Sequence, residues 1–502
     1  MNIKSICIVG GGSSGWMMAI ALNKQLPHIK VKLVESPHAP TIGVGESTIP
    51  FTTRFIKETL KFKEKDWMPF CDATYKAAIR FKNFTDKNSI CYHPFWTKEE
   101  NELNTYDWAI KQKLTQSNDY FDTNFIAYHM SKNNKFDCLT CTDHDNDEEF
   151  SYAHHIDAIK FGNYCSTKFK GEYILAHVKH VKCDGNTIVS LTTDKGLIEA
   201  DMFIDCTGLK SLLIDNVLNE PFESINDTLL NDTAITCRMP YSDKSVELQP
   251  FTDCTALSSG WVWNAPLWSR IGTGYVFSSK FQSNENALKE FNQYLRNRFD
   301  NKRVNEAEFN FVSFKAGKYK RGWVGNCLAL TLASGFIEPL ESTGLAITAY
   351  QIEEFIKQIK TSSNSVFTRA SYNNKLDKVF KDTYNFVLLH YVNTNRTDSS
   401  YWKHIQNNIK ITNDFIDYTN NENSDWFDIK SKDCILIGMN FQSRYTTNLL
   451  WKDKYLHKYT KKQKTNILKE LQYLENRKNY YIKKTNNMLS LTDYLKQKIY
   501  VN

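Results

Sequence analysis

The stretch GFIEPLESTGLAITAY, residues 335–350, sets a carboxylate, two hydroxyls and a glycine side by side as Glu341, Ser342, Thr343 and Gly344. An apolar run follows in which Leu345, Ala349, Ile352, Ile356 and Ile359 recur at helical spacing. The small hydroxyl residues read as an N-cap region, so the amides of Thr343 and Gly344 fall among the donors that a helix start leaves unpaired. Such a helix start favours an anion. Beside it, Glu341 sets a carboxylate next to a site that favours an anion. Lys76 lies in TYKAAIRFKNF. The alternation there sets Tyr75, Ala77, Ile79 and Phe81 on one strand face and Lys76 on the other. On pattern alone Lys76 is a solvated lysine, and Glu341 is a helix-start acid that complements the dipole.

A nucleotide site opens the chain. In IKSICIVGGGSSGWMMAIALNKQL the run Ile6 to Val9 reads as a buried parallel strand, and Gly10, Gly12 and Gly15 form G-x-G-x-x-G. A helix follows, and then VKLVE, a second strand ending at Glu35, twenty residues beyond Gly15. Glycines permit the tight turn and close approach to a pyrophosphate, the helix start receives its charge, and the acid takes a ribose hydroxyl. The loop offers Gly10, Gly11, Gly12, Ser13, Ser14 and Gly15 for that contact. Further on, ADMFIDCTGLKSLLI is a hydrophobic strand ending at Asp205, followed by Thr207 and Gly208. It looks like the second nucleotide-contacting strand of FAD monooxygenase-type folds. A chain with its own NADPH domain would show a second glycine fingerprint, so this one reads as a flavin protein reduced from outside.

Composition narrows the field. The 502 residues are 41% hydrophobic, enough for a large core or two closely packed modules. The net charge of +7 is a mild excess of 63 basic over 56 acidic residues and does not argue for nucleic acid. The basic C-terminal stretch KYTKKQKTNILKELQYLENRKNYYIKK reads as a solvated helix face. No run approaches the roughly 18 apolar residues of a membrane span, and the N-terminus enters a strand at once instead of forming a signal peptide. The twelve cysteines are scattered, with one close pair, Cys138 and Cys141, and no partner set for a metal, so free thiols in a reducing cytoplasm are expected.

Several segments together resemble one family, the flavin-dependent tryptophan halogenases. GGGSSGW includes the Trp16 typical of them; TIGVGESTIP resembles their flavin-covering strap at Ile42, Val44 and Glu46; YKAAIRFKNF resembles the segment with their essential lysine, here Lys76. YHPF matches at His93 and Phe95, GWVWNAPL resembles their W-x-W-x-I-P signature through Trp261, Trp263 and Pro266, and LASGFIEPLESTG matches nearly throughout. LLHYVNTNRTDSSYW resembles a further segment, and the matches run from residue 10 to about 440.

The resemblance implies that FADH2 from a separate reductase, O2 and halide produce hypohalous acid, which Lys76 delivers to an electron-rich aromatic for electrophilic substitution assisted by Glu341. It adds Ser36, Leu332 and Leu345 to the cofactor contacts. It assigns halide to Thr343 and Gly344, substrate contact to His93, Phe95, Trp426 and Phe427, and the screen between flavin and substrate to Trp261, Trp263 and Ser342. A homodimer is common among such proteins. An aromatic hydroxylase or a non-catalytic flavin-binding protein would be the alternatives.

Two departures stand out. Ala265 replaces the signature isoleucine, leaving a smaller side chain that could admit a larger halide. Where free-tryptophan enzymes carry a tyrosine pair before Cys-Ile-Leu, this chain reads Ser431, Lys432, Asp433, so indoles or phenols are expected over strict free tryptophan. The expected architecture is mixed α/β: a FAD module with a Rossmann-type βαβ over residues 1–345, carrying a loop-rich insertion at about 100–150, and a mainly helical substrate module over 346–502.

Overall fold

The computed structural model describes residues 3–38, 43, 45–102, 105–138, 150–361, 364–420, 426–439 and 460–501. Of the positions singled out above, Ile42, Val44 and Cys141 lie outside the described residues.

The chain forms two compact units, each assembled from separated segments: Met1–Ala73, His154–Met239 and Gly272–Tyr384 in the first, Thr74–Ala153, Pro240–Ile271 and Asn385–Asn502 in the second. These are not the two consecutive modules expected from the sequence. The helix Gly344–Thr361 runs straight across the expected boundary and belongs wholly to the first unit, because its apolar face packs on the nucleotide-loop helix Ser13–Gln25. After Phe336 every described element is a helix.

The first unit is built on a six-stranded sheet in the order Trp323–Val324, Cys327–Ala329, Met202–Asp205, Ser5–Val9, Lys30–Glu35, Glu172–Leu175. All neighbours are parallel except the first pair. The central strand is buried from Ile6 to Val9, which is why it reads as an unbroken apolar run. Register sets Val9 opposite Asp205 and Val34, so the ends of three strands converge beside the glycine loop, the position where open α/β sheets bind ligands.

In the second unit, Phe251–Ala256 pairs antiparallel with Gly260–Pro266 and parallel with Ala78–Lys82, which pairs antiparallel with Ile90–Pro94. Arg80 and Lys82 both reach the buried Asp253, at 2.8 and 3.4 Å. Residues 98–132, expected as part of a loop-rich insertion, are mostly helical: Lys98–Glu102, Thr105–Thr115, Tyr120–Asn124 and Ile126–Lys132. Their polar residues are committed to packing. Asp119 takes Lys111 at 2.7 Å and Lys478 at 3.1 Å, and Asn124 accepts from Arg477 at 2.7 Å, while Trp108, Tyr120 and Phe125 make a small core of their own. Among the described residues no helix is long and apolar enough to cross a membrane, and no group of His, Cys, Asp and Glu could hold a metal ion.

Candidate active site

The glycine loop is shaped by its own close contacts. Gly10 has φ +116°, and a Cβ there would lie 2.2 Å from the Cys206 carbonyl oxygen; a Cβ on Gly15 would lie 2.0 Å from the Gly10 carbonyl oxygen. Those two glycines serve loop, strand and helix packing. Gly12, the N-cap of the helix Ser13–Gln25, faces open space instead, with nothing within 4 Å of a Cβ. Its helix has no side-chain cap and no acid in its first turn, so its free amides suit a diphosphate. Glu35 stands over Gly11, whose Cβ would meet the Glu35 carboxyl carbon at 2.2 Å, and accepts from the Tyr173 hydroxyl at 2.9 Å. Burial, then that bond, push the Tyr173 phenol up to about 12. Trp16 packs against Phe169 and Tyr173, locking the first turn of the helix. Ser36 Oγ lies 3.0 Å from His177 Nδ1.

Asp205, at the end of its strand, is anchored by several hydrogen bonds. It is fully buried, and its oxygens accept from the amides of Thr207, Leu213 and Ile214 and from the Thr207 hydroxyl. Burial raises its carboxyl above the ordinary range despite those bonds. It builds the turn beside the loop through its hydrogen bonds.

The helix start at Gly344 has the predicted form. The Ile347 amide donates to the Thr343 carbonyl at 2.9 Å, which makes Thr343 the cap. Ser342, at φ +61°, turns the chain into it, and its amide donates to the Pro339 carbonyl. Glu341, Ser342 and Thr343 are all at most 3% exposed. Thr343 Oγ1 is buried without a hydrogen-bond partner among the described residues, and Gly344 faces open space. Such a buried hydroxyl, beside open space at a helix start, suits an anion. The neighbouring turn Thr331–Ala333 holds Leu332 half-buried, and Leu345 is buried behind it. Together with the open space over Gly12, these features fit the dinucleotide and halide expected from the sequence. Glu46, at the strap's C-terminal end in the two-residue strand Glu46–Ser47, is half-buried; burial, then the charge of Asp157, push its carboxyl up to about 7.

The second unit gathers the residues expected to meet an arene. The strand containing Lys76 is broken at Ala77, whose amide donates to the Pro250 carbonyl. Lys76 is completely buried, against the pattern-based expectation of a solvated lysine. Its Nζ lies 5.4 Å from the centre of the Phe95 ring, within cation–π range. His93, also buried, lies near the Phe95 and Phe386 rings, and Phe386 stacks on Phe427 at 3.9 Å. Phe386 was not legible as a site residue, because its only signal is one apolar position in a long helix. Trp426 is half-buried next to Phe427. Trp261 and Trp263 share the strand Gly260–Pro266 with ring centres 6.2 Å apart, the first buried and the second half-buried. Ser431, Lys432 and Asp433 lie in the first half of the helix Ile429–Gly438, capped by Asp428, and all three are buried. Lys432 donates to the Tyr418 carbonyl at 2.9 Å, and Lys430 donates to the Glu100 carbonyl.

Among the described residues, a Rossmann-type sheet with an open nucleotide loop, a helix start with unpaired donors and a buried lysine near aromatic rings are the features expected of a flavin-dependent halogenase. The comparisons agree: the tryptophan halogenase family model matches residues 5–452. Tryptophan 6-halogenase SttH of Streptomyces toxytricini is 32% identical over 427 residues, covering 80% of each chain. Tryptophan 7-halogenase RebH of Lentzea aerocolonigenes is 32% identical over 429 residues, covering 80% of this chain and 78% of its own. The apo structure of VirX1 superposes with a TM-score of 0.85 at 30% identity, covering 99% of this chain and 100% of its own. The chain belongs to the tryptophan halogenase family and is a flavin-dependent enzyme.

Proposed function

We propose that the enzyme halogenates an electron-rich indole or phenol, using FADH2 from a separate flavin reductase, O2 and a halide ion. Gly10 to Gly15 and the helix they open would hold the diphosphate, Glu35 a ribose hydroxyl, and Ser36, Glu46, Leu332 and Leu345 the rest of the cofactor. When bound, reduced FAD supplies with O2 the oxidising power that turns halide into hypohalous acid. The amides of Thr343 and Gly344 and the Thr343 hydroxyl strip and hold the halide. Lys76 holds hypohalous acid by a charged hydrogen bond or as a haloamine. Glu341 stabilises the cationic ring and removes the proton from the carbon that has gained halogen. Trp261 and Trp263 screen one half of the site from the other.

The observation that carries this reading is the complete burial of both Lys76 and Glu341. Lysine and glutamate are seldom buried so completely, because their desolvation is costly, and here both lie in the segments that match the family. The substrate class rests on the helix Ile429–Gly438, which carries Ser431, Lys432 and Asp433 in place of a tyrosine pair and whose Lys430 and Lys432 donate to backbone carbonyls. We also place the enzyme in a reducing cytoplasm, where its described cysteines would remain the free thiols they are here.

The test is an arene panel with chloride, bromide and iodide and an added flavin reductase, read by product mass. Halogenated arene is expected. A product heavier by one oxygen would mark a hydroxylase, and the absence of halide-dependent turnover with every arene a non-catalytic flavin protein.

A further inference from the structure

Thr331 has φ +54°, in the left-handed region that a β-branched residue rarely enters. A glycine would take that conformation without strain. The turn is nevertheless held firmly: the Thr331 amide donates to Gln351 Oε1 at 2.9 Å, and its carbonyl accepts from Ser334 Oγ at 2.8 Å. Gln351 is fully buried and also donates to Ser334 Oγ at 3.0 Å.

What threonine brings that glycine lacks is the hydroxyl, and the hydroxyl sits between two helices. It donates to Ser14 Oγ at 2.8 Å, in the first turn of the helix Ser13–Gln25. It also lies 2.7 Å from Thr348 Oγ1, one turn into the helix Gly344–Thr361. Thr348 has one proton and two acceptors within reach, Thr331 Oγ1 and, at 3.0 Å, the carbonyl of Gly344. With Thr331 donating to Ser14, the Thr348 proton must go either to Thr331 or to the Gly344 carbonyl; either way the hydroxyls of Ser14, Thr331 and Thr348 lie in one row between the nucleotide-loop helix and the first turn of the second helix.

We propose that Thr331 is a positioning residue that sets the two helix starts relative to one another, and so aligns the diphosphate seat with the halide seat. This rests on the reading of those seats given above. Thr331 touches neither reacting atom; it acts through Ser14 and Thr348. Strain at a site of this kind is stable only where the surroundings over-determine it, and here they do so at the junction of the two seats.

The experiment compares wild type, Thr331→Gly, Thr331→Ser and Ser14→Ala by thermal midpoint, by FAD affinity from fluorescence titration, and by bromide KM and kcat. Thr331→Gly is expected to keep or raise the thermal midpoint, because strain is relieved. It should weaken FAD binding and raise bromide KM by about three- to tenfold, the range for one lost hydrogen bond. Thr331→Ser should restore both. Ser14→Ala, which cuts one end of the chain, should weaken FAD binding with a smaller effect on bromide KM. Unchanged FAD affinity and bromide KM in Thr331→Gly, or a serine variant as impaired as the glycine variant, would overturn the assignment. If wild type shows no halide-dependent turnover, the halogenation reading fails, while FAD affinity across the variants still decides whether the hydroxyl positions the nucleotide helix.

Discussion

The Lys76 ammonium stands 5.4 Å from the centre of the Phe95 ring, and both side chains are buried, Lys76 completely. From Phe95 the aromatic surface continues through His93 and Phe386 to Phe427. A primary amine thus lies at one end of a row of rings. Stacking on such a row orients an arene without requiring charge on it.

Replacing Lys76 with alanine should abolish halogenation while oxidation of reduced flavin continues. The product mixture and the rate of flavin reoxidation are measured on the same purified variant. Halogenated product at the wild-type rate would remove Lys76 from the mechanism.

Glu341→Gln keeps the shape of a fully buried side chain and removes its basicity. Loss of one positioned base slows proton transfer by about 10²–10⁴-fold. The expected result is a correspondingly lower turnover number with FAD binding intact, under conditions where substitution is rate-limiting. An unchanged turnover number would reassign Glu341 to shaping the turn before Thr343.

Small indoles and phenols should be halogenated at least as efficiently as free tryptophan. Burying a zwitterion requires matched partners, and the helix Ile429–Gly438 holds Ser431, Lys432 and Asp433 where a tyrosine pair was sought. Specificity constants for tryptophan and simple indoles are compared under each halide with one reductase. A preference for tryptophan of about tenfold, equal to about 1.4 kcal/mol of differential transition-state binding, would require a backbone clamp elsewhere.

Glu46 should make stability depend on pH. Its folded pKa is raised from the ordinary 4.5 to about 7, first by burial and then by Asp157. Between those values the folded protein holds a proton that the unfolded chain has released. Its contribution to stability is full below the lower value and is lost as pH rises through the higher one. The thermal midpoint should therefore fall from pH 5 to pH 8 by more in wild type than in Glu46→Gln, which cannot ionise. Equal falls in the two proteins would show that the Glu46 carboxyl is not the group responsible.

Much of the nucleotide half was legible before any coordinates, because its determinants are local. Gly15 is dictated by a close approach to Gly10 within one loop, Glu35 by the end of the next strand, and the helix start at Gly344 by small hydroxyl residues before an apolar stripe. Segment likeness marked Lys76 and Glu341 for the same reason: each sits in a short continuous motif. Tertiary structure decided what depends on distant chain. The seclusion of Lys76 comes from strands and helices far from it in sequence, so strand alternation alone made it a surface lysine. The polar stretch after residue 98 became helical because Lys478 and Arg477 satisfy Asp119 and Asn124 from more than 350 residues away. Phe386 became part of the aromatic row by packing between His93 and Phe427. Thr331 carries no sequence signal, since neither its left-handed backbone nor its place between Ser14 and Thr348 exists until two helices have packed. Local backbone chemistry can be read from neighbouring residues, but burial and hydrogen bonds across long loops arise only when the chain closes on itself.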